Sequence, residues 1–263
     1  MSTLKEKLED FGRKIIENKI NETQNEDKLQ ELFRELAPAF LYGGYIKVRE
    51  DYKVYIRTVE FYFHSEKGNG IHDPIVYHRN NRNIEGDIPY LPLMSINAHS
   101  SGFDITFEND SEKYRASALI RSYEVKSKGK DGKEVYLIWN KEKKMFVKSL
   151  KYGYNEQSTY LYDLLNGFNI SKDYNNKVVW ENVSQDERVK KDIKANIRNN
   201  VPLYRIEDNN YVKITKDFYI NKKDYVEKLH PEIKKVKPQF FASGKEICLR
   251  DPKLWQFYRV TEI

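Results

Sequence analysis

From Tyr45 to Phe63 aromatic and β-branched residues alternate with polar ones, and this run limits the fold more than any other feature of the chain. A period of two over that length predicts an extended strand, entered through a turn at Gly43 and Gly44. In its second half, Tyr55, Arg57, Val59, Phe61 and Phe63 are expected on one face. Ile56, Thr58, Glu60, Tyr62 and His64 are expected on the other. The second face sets a carboxylate beside a phenol and an imidazole. Two roles stay open for Glu60: an ordinary edge carboxylate, or a base held in an aromatic pocket. If it is buried, it needs a partner.

Four of the five histidines, His64, His72, His78 and His99, lie in or just beyond this strand, which concentrates groups that exchange protons near neutral pH. Residues 65–70 read as a polar loop, and His72 to Pro74 as an extended turn, because the residue before a proline is pushed out of the helical region. Tyr77, His78, Arg79, Arg82 and Asn83 follow with little apolar content. Arginines interleaved with Asn and aromatic groups suit a surface for phosphates and bases; they equally suit a solvated loop. Pro89 to Pro92 sets Tyr90 at a rigid tip. Small residues around His99 and Gly102 permit close backbone approach, and Phe103, Ile105 and Phe107 then alternate as a strand. Residues 115–125 form the next strand, with Leu119, Arg121, Tyr123 and Val125 expected to share a face. An arginine among apolar neighbours requires a fixed carboxylate or phosphate partner.

Two amphipathic helices precede the sheet, over residues 3–18 and from about residue 26 to Pro38. After the sheet, the pattern predicts a hairpin within 135–150, a helix over 158–166 and a capping-box helix from Ser184 to Asn199. Short strands over 203–220 and a short helix from Lys222 follow, and a closing strand carries Trp255, Phe257 and Tyr258. The fold class expected is α+β: a mostly antiparallel curved sheet flanked by helices, with an N-terminal helical appendage over 1–38 and a single domain over 39–263.

A chain with 46 basic and 40 acidic side chains is only mildly cationic at +6, which permits an anionic partner without demanding one. The 20 tyrosines can serve strands and core or stack on bases. Cys248 is the sole cysteine, so internal disulfides and cysteine-based zinc clusters are excluded. With no apolar run long enough to span a bilayer and no secretory leader, the expected location is cytoplasmic, with no membrane partner. Oligomeric state is left open. Histidine pairs with metallohydrolase spacing, glycine-rich phosphate loops and GxSxG nucleophile elbows do not occur.

Four short segments, in order, carry a resemblance. VEFY at 59–62, HDPIVYHRNNRN at 72–83, ALIRSYEV at 118–125 and WQFY at 255–258 resemble motifs of the alkylpurine (3-methyladenine) DNA glycosylases. In that family the first is TEAY, the second an Asp-Pro, His, Arg-Asn loop, the third VLIRALEP and the last WRFY. The resemblance implies excision of a modified base from nucleic acid, with duplex DNA the expected partner and no metal or cofactor. It makes Glu60 the general base that activates water and Tyr62 a ring stacked on the extruded base. His78 and His99 would stand beside that base, Arg121 would hold the family's strand-arginine position, and Arg79, Arg82 and Asn83 would contact DNA. Extrusion is the physical need behind such a pocket, because a base that leaves the duplex must regain stacking and edge contacts.

A second constellation, Asp104 with Glu124 and Lys126, resembles the core of Mg²⁺-dependent restriction-type nucleases. A third possibility is a nucleic-acid-binding module without turnover.

Overall fold

The computed structural model describes residues 3–49, 51–67, 69–71, 89–99, 102–129, 131–164 and 178–183, together with strand segments 193–196, 204–207, 210–213, 219–221, 240–242 and 256–259. His72, His78, Arg79, Arg82 and Asn83 lie outside the described residues, as do the helix expected from Lys222 and the last two residues of the helix expected over 158–166.

Helix α1 (Leu4–Glu17) opens with a capping box, in which Thr3 and Glu6 satisfy each other's backbone N–H. Helix α2 (Glu26–Leu41) is capped by Asn25. It runs past Pro38, which sits inside its last turn instead of ending it. Strands β1 (Gly44–Val48) and β2 (Tyr52–Ser65) come next, so the alternating run from Tyr45 is a hairpin and not one strand. Its turn takes a positive φ at Arg49. Strands β3 (Ile96–His99), β4 (Gly102–Thr106), β5 (Tyr114–Lys128), β6 (Glu134–Asn140) and β7 (Met145–Ser149) form a meander. After a 3-10 turn (Ser158–Tyr160) and the short α3 (Leu161–Leu164), β8 (Val178–Asn182) adds to β1.

Strand β9 (Ile193–Asn196) lies inside the expected Ser184–Asn199 helix and corrects it: its four residues pair with the closing strand. Tertiary pairing here overrides a helical charge pattern. Two hairpins, β10 (Tyr204–Glu207) with β11 (Asn210–Lys213) and β12 (Tyr219–Asn221) with β13 (Phe240–Ala242), precede β14 (Gln256–Arg259). The latter pairs with β2 on one side and β9 on the other.

The product is an α+β protein, two N-terminal helices against a curved antiparallel sheet with β3, β4, β5, β2, β1 and β8 in that order. Helices and sheet share one apolar cluster. Phe33 stacks on Phe61 at 4.6 Å, Phe11 meets Phe107 edge-on at 5.2 Å, and Phe257 closes on Phe61 at 5.7 Å. Five such rings, from α1, α2, β2, β14 and the residue that follows β4, fix which face of the sheet points inward.

Beyond the hairpin, two bulges reset the expected faces. Val59 pairs with Ile120 and Thr58 with Ser122, so Arg121 is an extra residue on β5. Ile56 pairs with Tyr123, so Arg57 is an extra residue on β2. Each insertion shifts the alternation by one. Val54 and Ile56 therefore join Val59, Phe61 and Phe63 in the core, while Tyr55 turns to the outer face. Likewise Leu119 and Val125 do not share a face as expected: Val125 pairs with core Val54, whereas Leu119 pairs with Glu60.

Candidate functional site

The outer face is polar yet mostly covered. Glu60 is fully buried, and His64, Arg57, Arg115, Asp104, His99 and Glu124 are all buried with it. A carboxylate in that position holds its charge only if donors reach it. Tyr62, two residues along the same strand face, donates its phenol O–H to Glu60 Oε1. On the neighbouring strand Arg121 brings Nε to 3.4 Å from Oε2. The bulge that inserts Arg121 is what aims it across the strand pair. Its side chain keeps 28% of its exposure and Tyr62 is half-buried, so the groups covering the carboxylate reach solvent. Three of the residues singled out in the sequence are thus brought together: Glu60, Tyr62 and Arg121.

His99 goes elsewhere. It stands opposite Gly102 on β4, and its Nε2 lies 3.3 Å from Asp104 Oδ2. Ser117 donates to the same oxygen at 3.4 Å. Gly102 has a φ of +145°, and a Cβ there would meet Ser158 Oγ, which accepts the Phe103 N–H at 3.0 Å. The close approach legible in this small-residue stretch is therefore real. Asp104 and Glu60 pair with the same residue, Leu119, from opposite sides, so they are two strand spacings apart, about 10 Å.

The nuclease constellation does not assemble. Glu124 lies five residues from Leu119 along β5, which places it about 15 Å from Asp104 along the sheet. It is committed to Arg57, at 3.3 Å, and accepts from the Tyr152 phenol at 3.2 Å. Lys126 binds Glu134 at 2.9 Å. Burial, the largest single influence, lowers its pKa, but the hydrogen bond to Glu134 together with the charges of Glu134, Tyr136 and Glu124 outweighs this and holds the ammonium above its ordinary value, the opposite of what an amine acting as base requires.

Sequence reading missed two groups. Arg57 carries the same signal as Arg121, an arginine within an apolar alternation, and it is 5% exposed with its guanidinium 4.5 Å from the Tyr154 ring. Arg115, deeper still, donates to Glu66 at 2.6 Å, to Glu108 at 3.3 Å and to the Pro89 carbonyl at 3.1 Å, beneath the Tyr90 ring at 4.0 Å. These bonds tie the residues that follow the histidine and arginine segment in sequence to the sheet.

A cavity of about 810 Å³ lies on the helix side, where Ile46, Ile96, Ile105, Val178 and Trp180 line it; Glu60 does not. No helix among the described residues is long and apolar enough to cross a membrane. Comparison with family models, with curated proteins and with solved structures gives no match in any of the three.

Proposed function

We propose that this protein is a hydrolase of the DNA glycosylase type, excising a modified base from nucleic acid with Glu60 as general base. One observation carries the proposal: a fully buried carboxylate on the polar face, with a phenol on one oxygen and a guanidinium on the other. A carboxylate acting as general base takes its proton from a water. In the reaction that water attacks the anomeric carbon as the bond from that carbon to the base nitrogen breaks. Its proton passes to Glu60, and the departing base takes the bonding electrons. Arg121 sets a positive charge beside the carboxylate and orients it, and the Tyr62 ring offers a stacking surface to the extruded base. A cytoplasmic location agrees with the single cysteine.

The test is incubation of alkylated and deaminated oligonucleotides, single-stranded and duplex, with protein in EDTA, followed by alkali. Strand breaks that appear only after alkali report abasic sites. They should be absent with Glu60→Gln, while oligonucleotide binding persists. Intact substrate with wild-type protein across the panel would refute base excision, and equal activity of the Gln variant would refute Glu60 as base.

A further inference from the structure

Beside the Glu60 cluster, the outer face carries tyrosines and cations in direct succession. Lys53 Nζ stands 5.1 Å from the Tyr45 ring, and that ring is 5.2 Å from Tyr55. Lys126 Nζ bridges Tyr55 and Tyr136, at 5.3 and 5.4 Å from their centroids. Tyr136 meets Tyr152 edge-on at 5.4 Å, and Arg57 lies over both Tyr152 and Tyr154. Arg57 is the bulged residue three positions before Glu60 on β2, about 10 Å from it along the strand. The ladder therefore runs up to the candidate site.

Two features separate it from ordinary surface decoration. The last rings are open, with Tyr152 at 49% and Tyr154 at 44% exposure. Yet the strap that bears them is held rigidly. Asn155 exchanges both backbone hydrogen bonds with Tyr123, at 2.9 and 2.8 Å, and its buried amide accepts from Trp139 N–H at 2.7 Å and donates to the Leu137 carbonyl at 3.0 Å. Tyr123 O–H then donates to the Gln157 carbonyl at 3.0 Å. Large rings held open on a fixed backbone lose little conformational freedom on binding a flat partner. Lys47, Lys53, Arg57 and Lys126 lie on the face with Glu124, Glu134 and Glu181, so its balance is positive, as a phosphate backbone requires.

We infer that this ladder is a binding platform for an unpaired polynucleotide strand, its bases stacking on Tyr152 and Tyr154 and its phosphates lying along the lysines. Stacking needs exposed base faces, which a duplex hides, and alternation of rings with cations is how strands are held without sequence preference. The inference deepens the proposed function by naming a single-stranded substrate region, but it rests on the ladder and stands if Glu60 is inert.

Fluorescence anisotropy tests it, with a labelled oligothymidine of about 12 nucleotides and a duplex of equal length. Wild-type protein should bind the single strand more tightly. Tyr152→Ala and Tyr154→Ala should each weaken it roughly tenfold, and Tyr154→Trp, which keeps a stacking face, should not. Lys53→Glu, at an exposed site that cannot disturb the core, should weaken binding and flatten its salt dependence between about 50 and 200 mM. Glu60→Gln should bind as wild type, which separates this test from the excision assay. No binding, a duplex bound as well as the strand, or alanine variants that are folded by circular dichroism and bind normally would each overturn the inference.

Discussion

Arg121 Nε lies 3.4 Å from Glu60 Oε2, across two strands that are out of step by one residue where the arginine stands. In a regular ladder position 121 would pair directly with a residue of β2. The inserted residue instead leans toward a carboxylate with no exposure of its own. Removing the arginine leaves that charge buried with only the Tyr62 phenol among the two donors described above.

Arg121→Ala should therefore destabilise the fold by about 1–3 kcal/mol, the cost of breaking a buried pair discounted for the arginine's partial exposure. Glu60→Gln keeps the shape and removes the charge, so its cost should be smaller. Urea denaturation of both variants checks the order; a neutral Arg121→Ala would mean the pair holds nothing in place.

Tyr62 has two separable contributions. Tyr62→Phe removes only the donor to Glu60 Oε1 and should cost about 1 kcal/mol of stability. Base release should slow modestly, because the ring remains. Tyr62→Ala also removes the ring and should cost a further tenfold or more in excision, since stacking on an extruded base is lost. Single-turnover rates with one substrate separate the two effects, and equal rates for Phe and Ala would deny the ring any role.

Much of this arrangement could be read from the residues. The two helices, the strand carrying Glu60 and the need for a partner at Arg121 follow from period and burial cost. What could not be read was the phase. Tyr55 and Arg57 fit one face of a regular strand, and nothing in their types announces that a bulge at Arg57 puts Tyr55 outside while Ile56 goes in. Register is fixed by the partner strand and by Phe33, Phe40 and Phe257 packing on Phe61, which are contacts distant in sequence. The same holds for β9, where a lysine-rich, helix-like pattern gives way to pairing with β14.

Stability should fall steeply in alkali. Burial pushes the Tyr114 phenol up to about 12 and raises Tyr123 as well. Below about pH 10 both are protonated in folded and unfolded chains, so they add no pH dependence. Above it the unfolded chain ionises them while the folded one does not, and the stability present below pH 10 is lost as pH rises through 12. Two phenols give a slope of about 2.7 kcal/mol per pH unit. Tyr114→Phe should lower the observed slope by one phenol's share, about 1.4 kcal/mol per pH unit. Exposed tyrosines ionise in the folded protein, so the check is the difference between wild type and Tyr114→Phe: a shallower loss of stability in the variant would agree, and equal slopes in the two proteins would not.

The Arg115 cluster should be the most sensitive position on the outer face. Its side chain is 3% exposed and neutralises Glu66 and Glu108, of which the latter has no side-chain exposure. Glu108 in turn accepts the Leu91 N–H at 2.7 Å, and Tyr90 O–H donates to Glu66 at 2.7 Å while its ring covers the guanidinium. Arg115→Ala strands both carboxylates and should cost about 3–5 kcal/mol, a large share of the stability of a single domain. Arg115→Lys keeps the charge but cannot fork to two carboxylates and a carbonyl, so it should recover less than half of that. Tyr90→Phe keeps the ring and loses one hydrogen bond, at about 1 kcal/mol. Because the cluster fixes Pro89 and Tyr90, directly after the segment that holds His78, Arg79, Arg82 and Asn83, Tyr90→Phe should also lower nucleic-acid affinity if that segment contacts substrate. Denaturation curves that rank Arg115→Ala above Arg115→Lys above Tyr90→Phe support the cluster as a tether; a cost for Arg115→Ala below about 1 kcal/mol, the level of an exposed ion pair, would show that it carries no such role.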